Sequence, residues 1–318
     1  MTVLAERYKL PEEKQDKLQR AIRLEWLTIF FLITITIVMY LAMGSSQAMK
    51  TAWVEDVLSL IPPISFLVAM RYRNNPPTDR FPYGFRRAPL LSFMVAAVAI
   101  LVLGLYLLYD AGKALLEQHH PTLAHFHLFG NSWDIWSGWV MIAALIYSVI
   151  PPVILGRMKL RLAPGLQEKT LFADANMNKA DWMTAVAAGL GIVGVGFGFW
   201  WADSVAAAVI SLDVIKDGVT NVKRATSDLL GQSPTDVKSG KQLGLADKLS
   251  EELGALQEVQ DVGVRLREEG HVFSGEVFVV LSSSGDTARQ VEHIRERATA
   301  LDWRLHNLTV MPVTTLEK

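Results

Sequence analysis

The chain has no cysteine, which excludes disulfides, thiolate metal ligands, iron–sulfur clusters and cysteine nucleophiles. Any metal site has to be built from oxygen, imidazole nitrogen or thioether. Lysine and arginine form no long basic run and the net charge is −1, so nothing favours a nucleic-acid partner. A nucleophile elbow, a P-loop and metallohydrolase spacing are all missing, which argues against an enzyme. The first apolar run lacks a small-residue cleavage site and reads as a membrane helix, not a signal peptide.

Half of the 318 residues are apolar, and they are concentrated before about Pro234. Six segments are predicted to cross a membrane: Trp26–Met43, Thr51–Met70, Pro89–Leu116, Trp133–Leu155, Asp174–Trp200 and Asp203–Lys223. Their flanking charges set the orientation, because positive loops resist translocation. The N-terminal segment (Arg7, Lys9, Lys14, Lys17, Arg20, Arg23), the second-to-third loop (Arg71, Arg73, Arg80, Arg86, Arg87) and the fourth-to-fifth loop (Arg157, Lys159, Arg161, Lys169) are assigned to the cytoplasm. This predicts a multi-pass protein of a bacterial-type inner (plasma) membrane with both termini cytoplasmic. Three parts follow: a cytoplasmic segment 1–24, a membrane domain 25–232 and a soluble domain 233–318.

Pro-Pro pairs in the second segment (SLIPPISFLVAMR) and the fourth (SVIPPVILGRMK) are expected to kink or partly unwind both helices, since proline removes a backbone donor. Acids inside the membrane carry the functional signal, because burying a charge there is costly. Glu55, Asp56 and Ser59 lie within one turn on the second helix. On the fifth, Asp174, Met177, Asn178 and Asp181 form one stripe. Asp213 lies ten residues in from Asp203, about 15 Å along the sixth helix and near the midplane. Asp110, Asp203 and Asp217 sit nearer helix ends and read as anchors or caps. Acids on three helices at compatible depths point to a cation path.

Three stretches, DRFPYGFRRAPLLSFMVAAVAILVLGLYLLYDAGKAL, LFADANMNKADWMT and WWADSVAAAVIS, resemble the cation diffusion facilitator family. The resemblance covers nearly the whole chain. It implies export of a divalent metal in exchange for protons, by a homodimer embedded in the lipid bilayer, with no cofactor beyond the transported ion. Carried over by motif position, the family's metal site falls on Glu55, Ser59, Met177 and Asp181. Asp56, Asp174, Asn178 and Asp213 are additional candidates for metal binding or proton coupling. This set departs from the family's Asp/His pairs and has no histidine. Hard oxygens with one thioether favour Mn, Fe or Mg over a tetrahedral zinc site. The alternative is a non-transporting membrane sensor or scaffold derived from the same family.

Beyond Ser233 the periodicity predicts helix, strand, strand, helix, strand. That order resembles the family's ferredoxin-like cytoplasmic domain. Its histidines, His271, His293 and His306, read as solvated or hydrogen-bonded residues, not metal ligands. Four more, His119, His120, His125 and His127, cluster in the third-to-fourth loop and read as part of a solvated loop.

Overall fold

Apolar residues recur every three or four positions along the first helix, α1 (Glu12–Ala42), and bury one stripe: Ala21, Glu25, Thr28, Leu32, Ile35, Met39 and Ala42. Its opposite face exposes Phe30, Ile33, Ile37 and Leu41. An apolar outer surface of this kind suits lipid, not water. The computed structural model describes residues 10–73, 75, 77–118, 125–128, 133–282 and 285–316.

The membrane-region helices are α1, α2 (Gln47–Leu58), α3 (Ile61–Arg73), α4 (Ala88–Leu116), α5 (Ser137–Leu166), α6 (Lys169–Gly196) and α7 (Ala202–Leu229). Among the described residues four spans are long and apolar enough to cross a bilayer: α1, the combined Gln47–Arg73, α4 and Gly138–Leu166. The described part of α6 has a shorter apolar helix, Trp182–Gly196. A hairpin, β1 (His125–Leu128) with β2 (Trp133–Trp136), precedes α5. Trp133–Trp136 is thus strand, not the first turn of the fourth helix. His119 and His120 lie outside the described residues, as do the side chains of His125 and His127.

The two proline pairs behave differently. Pro62 and Pro63 cannot donate to the carbonyls of Leu58 and Ser59, and the second span breaks into α2 and α3 there. Ser59 closes the break, its backbone N–H and its hydroxyl both donating to the Glu55 carbonyl at 2.8 and 3.0 Å. By contrast α5 stays helical through Pro151 and Pro152, so the expected partial unwinding does not occur there. It also continues past Arg157, Lys159 and Arg161, which therefore belong to a helix and not to a loop.

Glycines set how closely the helices pack. A Cβ on Gly218 of α7 would lie 2.7 Å from the Leu101 backbone of α4, and one on Gly104 would lie 2.9 Å from Ile215. Near the other end of α7, Cβ atoms on Gly191 and Gly194 of α6 would lie 2.9 and 2.5 Å from Ala206 and Ala202. These contacts fasten α4 to α7, and join α6 to α7 beside the short segment that connects them.

The C-terminal region is α8 (Leu245–Gly254), β3 (Val259–Glu269), β4 (Val272–Leu281), α9 (Thr287–Leu301) and β5 (Leu305–Pro312). The sheet order is β3-β4-β5, with β3 antiparallel and β5 parallel to β4. Leu249, Leu253, Phe273, Val277, Val279 and Ile294 fill its core. The predicted element order holds throughout this region.

Candidate cation site

Along α7 the buried stripe lapses between Gly218 and Ala225. Polar residues face the gap. Asp213, Asp217, Asn221 and Arg224 line a cavity of about 130 Å³, together with Glu55 of α2 and Thr184 of α6. Thr184 donates its hydroxyl to Glu55 Oε1 at 3.3 Å. The second carboxylate oxygen, Oε2, is buried with no hydrogen-bond partner, as is Oδ2 of Asp56. Buried carboxylate oxygens without donors are costly unless a proton or cation joins them. Three carboxylates from two helices thus converge on one hollow.

This arrangement differs from the sequence expectation at several residues. Asp217 is part of the cavity wall, not an interfacial anchor. Asp213 is in the cavity, as its depth suggested. Ser59 directs its hydroxyl to the Glu55 carbonyl. Asp174 and Asn178 belong to a separate network, in which Lys159 of α5 donates to Glu25 of α1 at 2.8 Å and to Asp174, while Asn178 Nδ2 reaches Asp174 at 3.3 Å. Lys159 is fully buried and pairs two carboxylates, so it cannot count as a solvated cation of a loop. Met177 and Asp181 lie on α6, with side chains outside the described residues. Among the described residues no three histidine or acidic side chains close on a single metal-binding point.

Two other acids read as anchors do act that way. Asp203 accepts from Ser46 Oγ at 2.6 Å and from the Gln47 backbone N–H, capping α2. Asp110 pairs with Lys50 at 2.8 Å.

At the end of the bundle nearest the sheet a further polar cluster joins the two parts of the chain. Lys169 donates to Asp228, Thr235 and Glu268, at 2.8, 2.7 and 2.8 Å. His271 Nδ1 lies 2.8 Å from the Leu166 carbonyl and 2.9 Å from Glu168 Oε1. The carbonyl takes the hydrogen, so Glu168 gains proximity without a hydrogen bond. Burial pushes the Glu168 carboxyl up to about 8, with Arg73 opposing and the Glu268 charge adding to the rise. In the folded chain this group therefore stays protonated at pH values where the unfolded chain has lost the proton. Folded stability should fall as pH rises from about 4.5 to 8, because over that range the unfolded chain has ionised and folding must take a proton back up. Thermal unfolding across that range should show the slope, and Glu168→Gln should flatten it.

A cavity lined with carboxylates between membrane helices, one of whose acids, Glu55, keeps an unpaired buried oxygen, defines a membrane protein that handles cations. A family profile for the cation efflux transmembrane domain matches residues 24–230. The chain belongs to this cation efflux family and is a cation efflux transporter, not an enzyme. It is similar to the manganese efflux system protein MneS of Bacillus subtilis (strain 168), 24% identical over 264 residues covering 81% of this chain and 84% of that protein. The manganese efflux system protein MneP of the same organism is 22% identical over 236 residues, 72% of each chain. An uncharacterized transporter of Methanocaldococcus jannaschii is 22% identical over 172 residues, 54% of this chain and 56% of that protein.

Proposed function

We propose that this chain exports a divalent metal cation, manganese foremost, from the cytoplasm in exchange for protons. The observation that carries this reading is the cavity shared by Glu55, Asp213 and Asp217, beside the unpaired oxygen of Asp56. Oxygen ligands of this kind suit hard cations such as Mg or Mn, and a thioether from Met177 extends the range to Fe. Similarity to two manganese efflux proteins favours manganese within that range. Glu55 and Asp181 are assigned as the principal ligands, with Ser59 and Met177 beside them and Asp213 supplying further charge. Carboxylates that bind the cation release protons and are reprotonated when it leaves, which supplies the exchange.

In this reading α6 and α7 are the fifth and sixth membrane spans, completing a six-helix domain over residues 25–232. Positive loops place the segment 1–24 and the ferredoxin-like region 233–318 in the cytoplasm of a cell bounded by an inner membrane. The working unit is a homodimer. Purified protein in proteoliposomes enclosing a pH-sensitive dye is expected to take up Mn²⁺ with counterflow of protons. If Mn²⁺, Fe²⁺, Zn²⁺, Co²⁺ and Mg²⁺ all stay outside and the dye is unchanged, the sensor or scaffold reading replaces transport.

A further inference from the structure

Lys216 is an unusual residue for its place. It lies fourteen residues from Ala202 and thirteen from Leu229, at the middle of α7, so each end of the helix is about 20 Å away. Its side chain is 77% exposed, and its ammonium is 3.8 Å from Asp213 Oδ1, too long for a hydrogen bond but close enough for an ion pair. Taking Asp203–Lys223 as the sixth span, this charge stands seven residues, about 10 Å, inside the inner boundary, at a depth where lipid tolerates a charge poorly. A four-carbon stem does not carry a lysine nitrogen the whole of that distance by snorkelling.

The groove between α6 and α7 offers the alternative surroundings. A second cavity, of about 320 Å³, lies along it and is lined by Lys216, Leu212, Val209 and Met183. Thr184 and Asp213 line both this cavity and the acidic one, so the two adjoin at the pair of residues that faces Glu55. A lysine on a flexible four-carbon stem beside that junction has one carboxylate within ion-pair distance and another, Glu55, across the shared wall.

We propose that Lys216 is the intramolecular counter-cation of the transport cavity, held against Asp213 while no metal is bound and displaced into a water-filled α6–α7 groove when a divalent ion enters. This rests on the transport reading and adds a competitor that sets how tightly the ion is held. A dication at the acids repels the ammonium, while the ammonium in turn weakens the attraction of the acids for a dication. The competition needs no change in protonation. It needs a charge at position 216 and water in the groove.

Both requirements can be tested in proteoliposomes with Mn²⁺ as the probe. Lys216→Met should lower KM for Mn²⁺ about fivefold, as expected for losing one partly solvated ion pair, whereas Lys216→Arg should stay within about twofold of the parent. Thermal stability should be unchanged, since the side chain is mostly exposed. Because the chain has no cysteine, Leu212→Cys gives a single reporter without background. It should react with a charged methanethiosulfonate, unlike Val102→Cys on the exposed face of α4. An unchanged or raised KM in Lys216→Met, or a Leu212→Cys as inert as Val102→Cys, overturns the proposal. Should the parent move no Mn²⁺, the transport reading fails by itself. Equilibrium Mn²⁺ binding read by electron paramagnetic resonance still decides for Lys216: tighter binding by Lys216→Met supports the competition, and equal or weaker binding ends it.

Discussion

Lys159→Met is expected to lower stability by about 3–5 kcal/mol, the usual result of removing one partner from a buried ion pair. The lysine is completely buried on α5, and its two partners, Glu25 and Asp174, are as deeply buried on α1 and α6. Without the ammonium two carboxylates would face one another away from water, and one oxygen of each already lacks a hydrogen-bond partner. Denaturant or thermal unfolding in detergent measures the loss. The triple variant Lys159→Met, Glu25→Gln, Asp174→Asn should recover most of it, because the penalty comes from uncompensated charge and not from the absence of the pair. A single variant less than about 1 kcal/mol below the parent would mean that water reaches the cluster.

Glu55→Gln is expected to have the opposite profile, losing function while keeping the fold. Residues that merely orient a metal ligand are worth about 10–100-fold, so an amide in place of a principal carboxylate should reduce Mn²⁺ flux by more than about 100-fold. The folded state should not suffer. Oε2 of Glu55 is buried without a donor, so a neutral side chain of the same shape relieves a desolvation cost. Initial rates of Mn²⁺ uptake, measured beside melting temperature in the same preparation, separate the two effects. Flux within tenfold of the parent would remove Glu55 from the principal ligands.

Much of the architecture was legible in the sequence because it depends on periodicity. The spacing of Leu32 to Ala42 on α1 and the alternation in β3 and β4 are local signals; the strands form where they are predicted, while α1 starts at Glu12, fourteen residues before the predicted Trp26. The broken second helix was equally legible, since proline acts on its own turn. Its counterpart in α5 was not: Pro151 and Pro152 lack N–H groups as surely as Pro62 and Pro63 do, yet there the chain continues as helix. Charges misled in another way. A positive-loop count treats Lys159 as solvated, but its burial depends on Glu25, which lies 134 residues away. Asp217 was set aside for standing near a helix end, and only the packing of α7 against α2 and α6 shows it sharing a hollow with Glu55. Depth along one helix can be read from sequence; which faces of three helices meet cannot.

The glycine contacts near the connection of α6 and α7 have a mechanical consequence. Gly191 and Gly194 leave no room for a side chain against Ala206 and Ala202, so the two helices are pinned together at one end. Farther along, the cavities beside Thr184, Asp213 and Arg224 hold them apart. The pair therefore has the layout of tweezers, with a fulcrum at the glycines and jaws that carry acids. Thr184 lies ten residues from Gly194, roughly 15 Å along the helix, so a rotation of about 10° at the fulcrum moves it by roughly 3 Å. Metal–oxygen bonds tolerate only a few tenths of an ångström. A bulky residue at Gly194 would shift the fulcrum, and the tips of the tweezers would no longer meet.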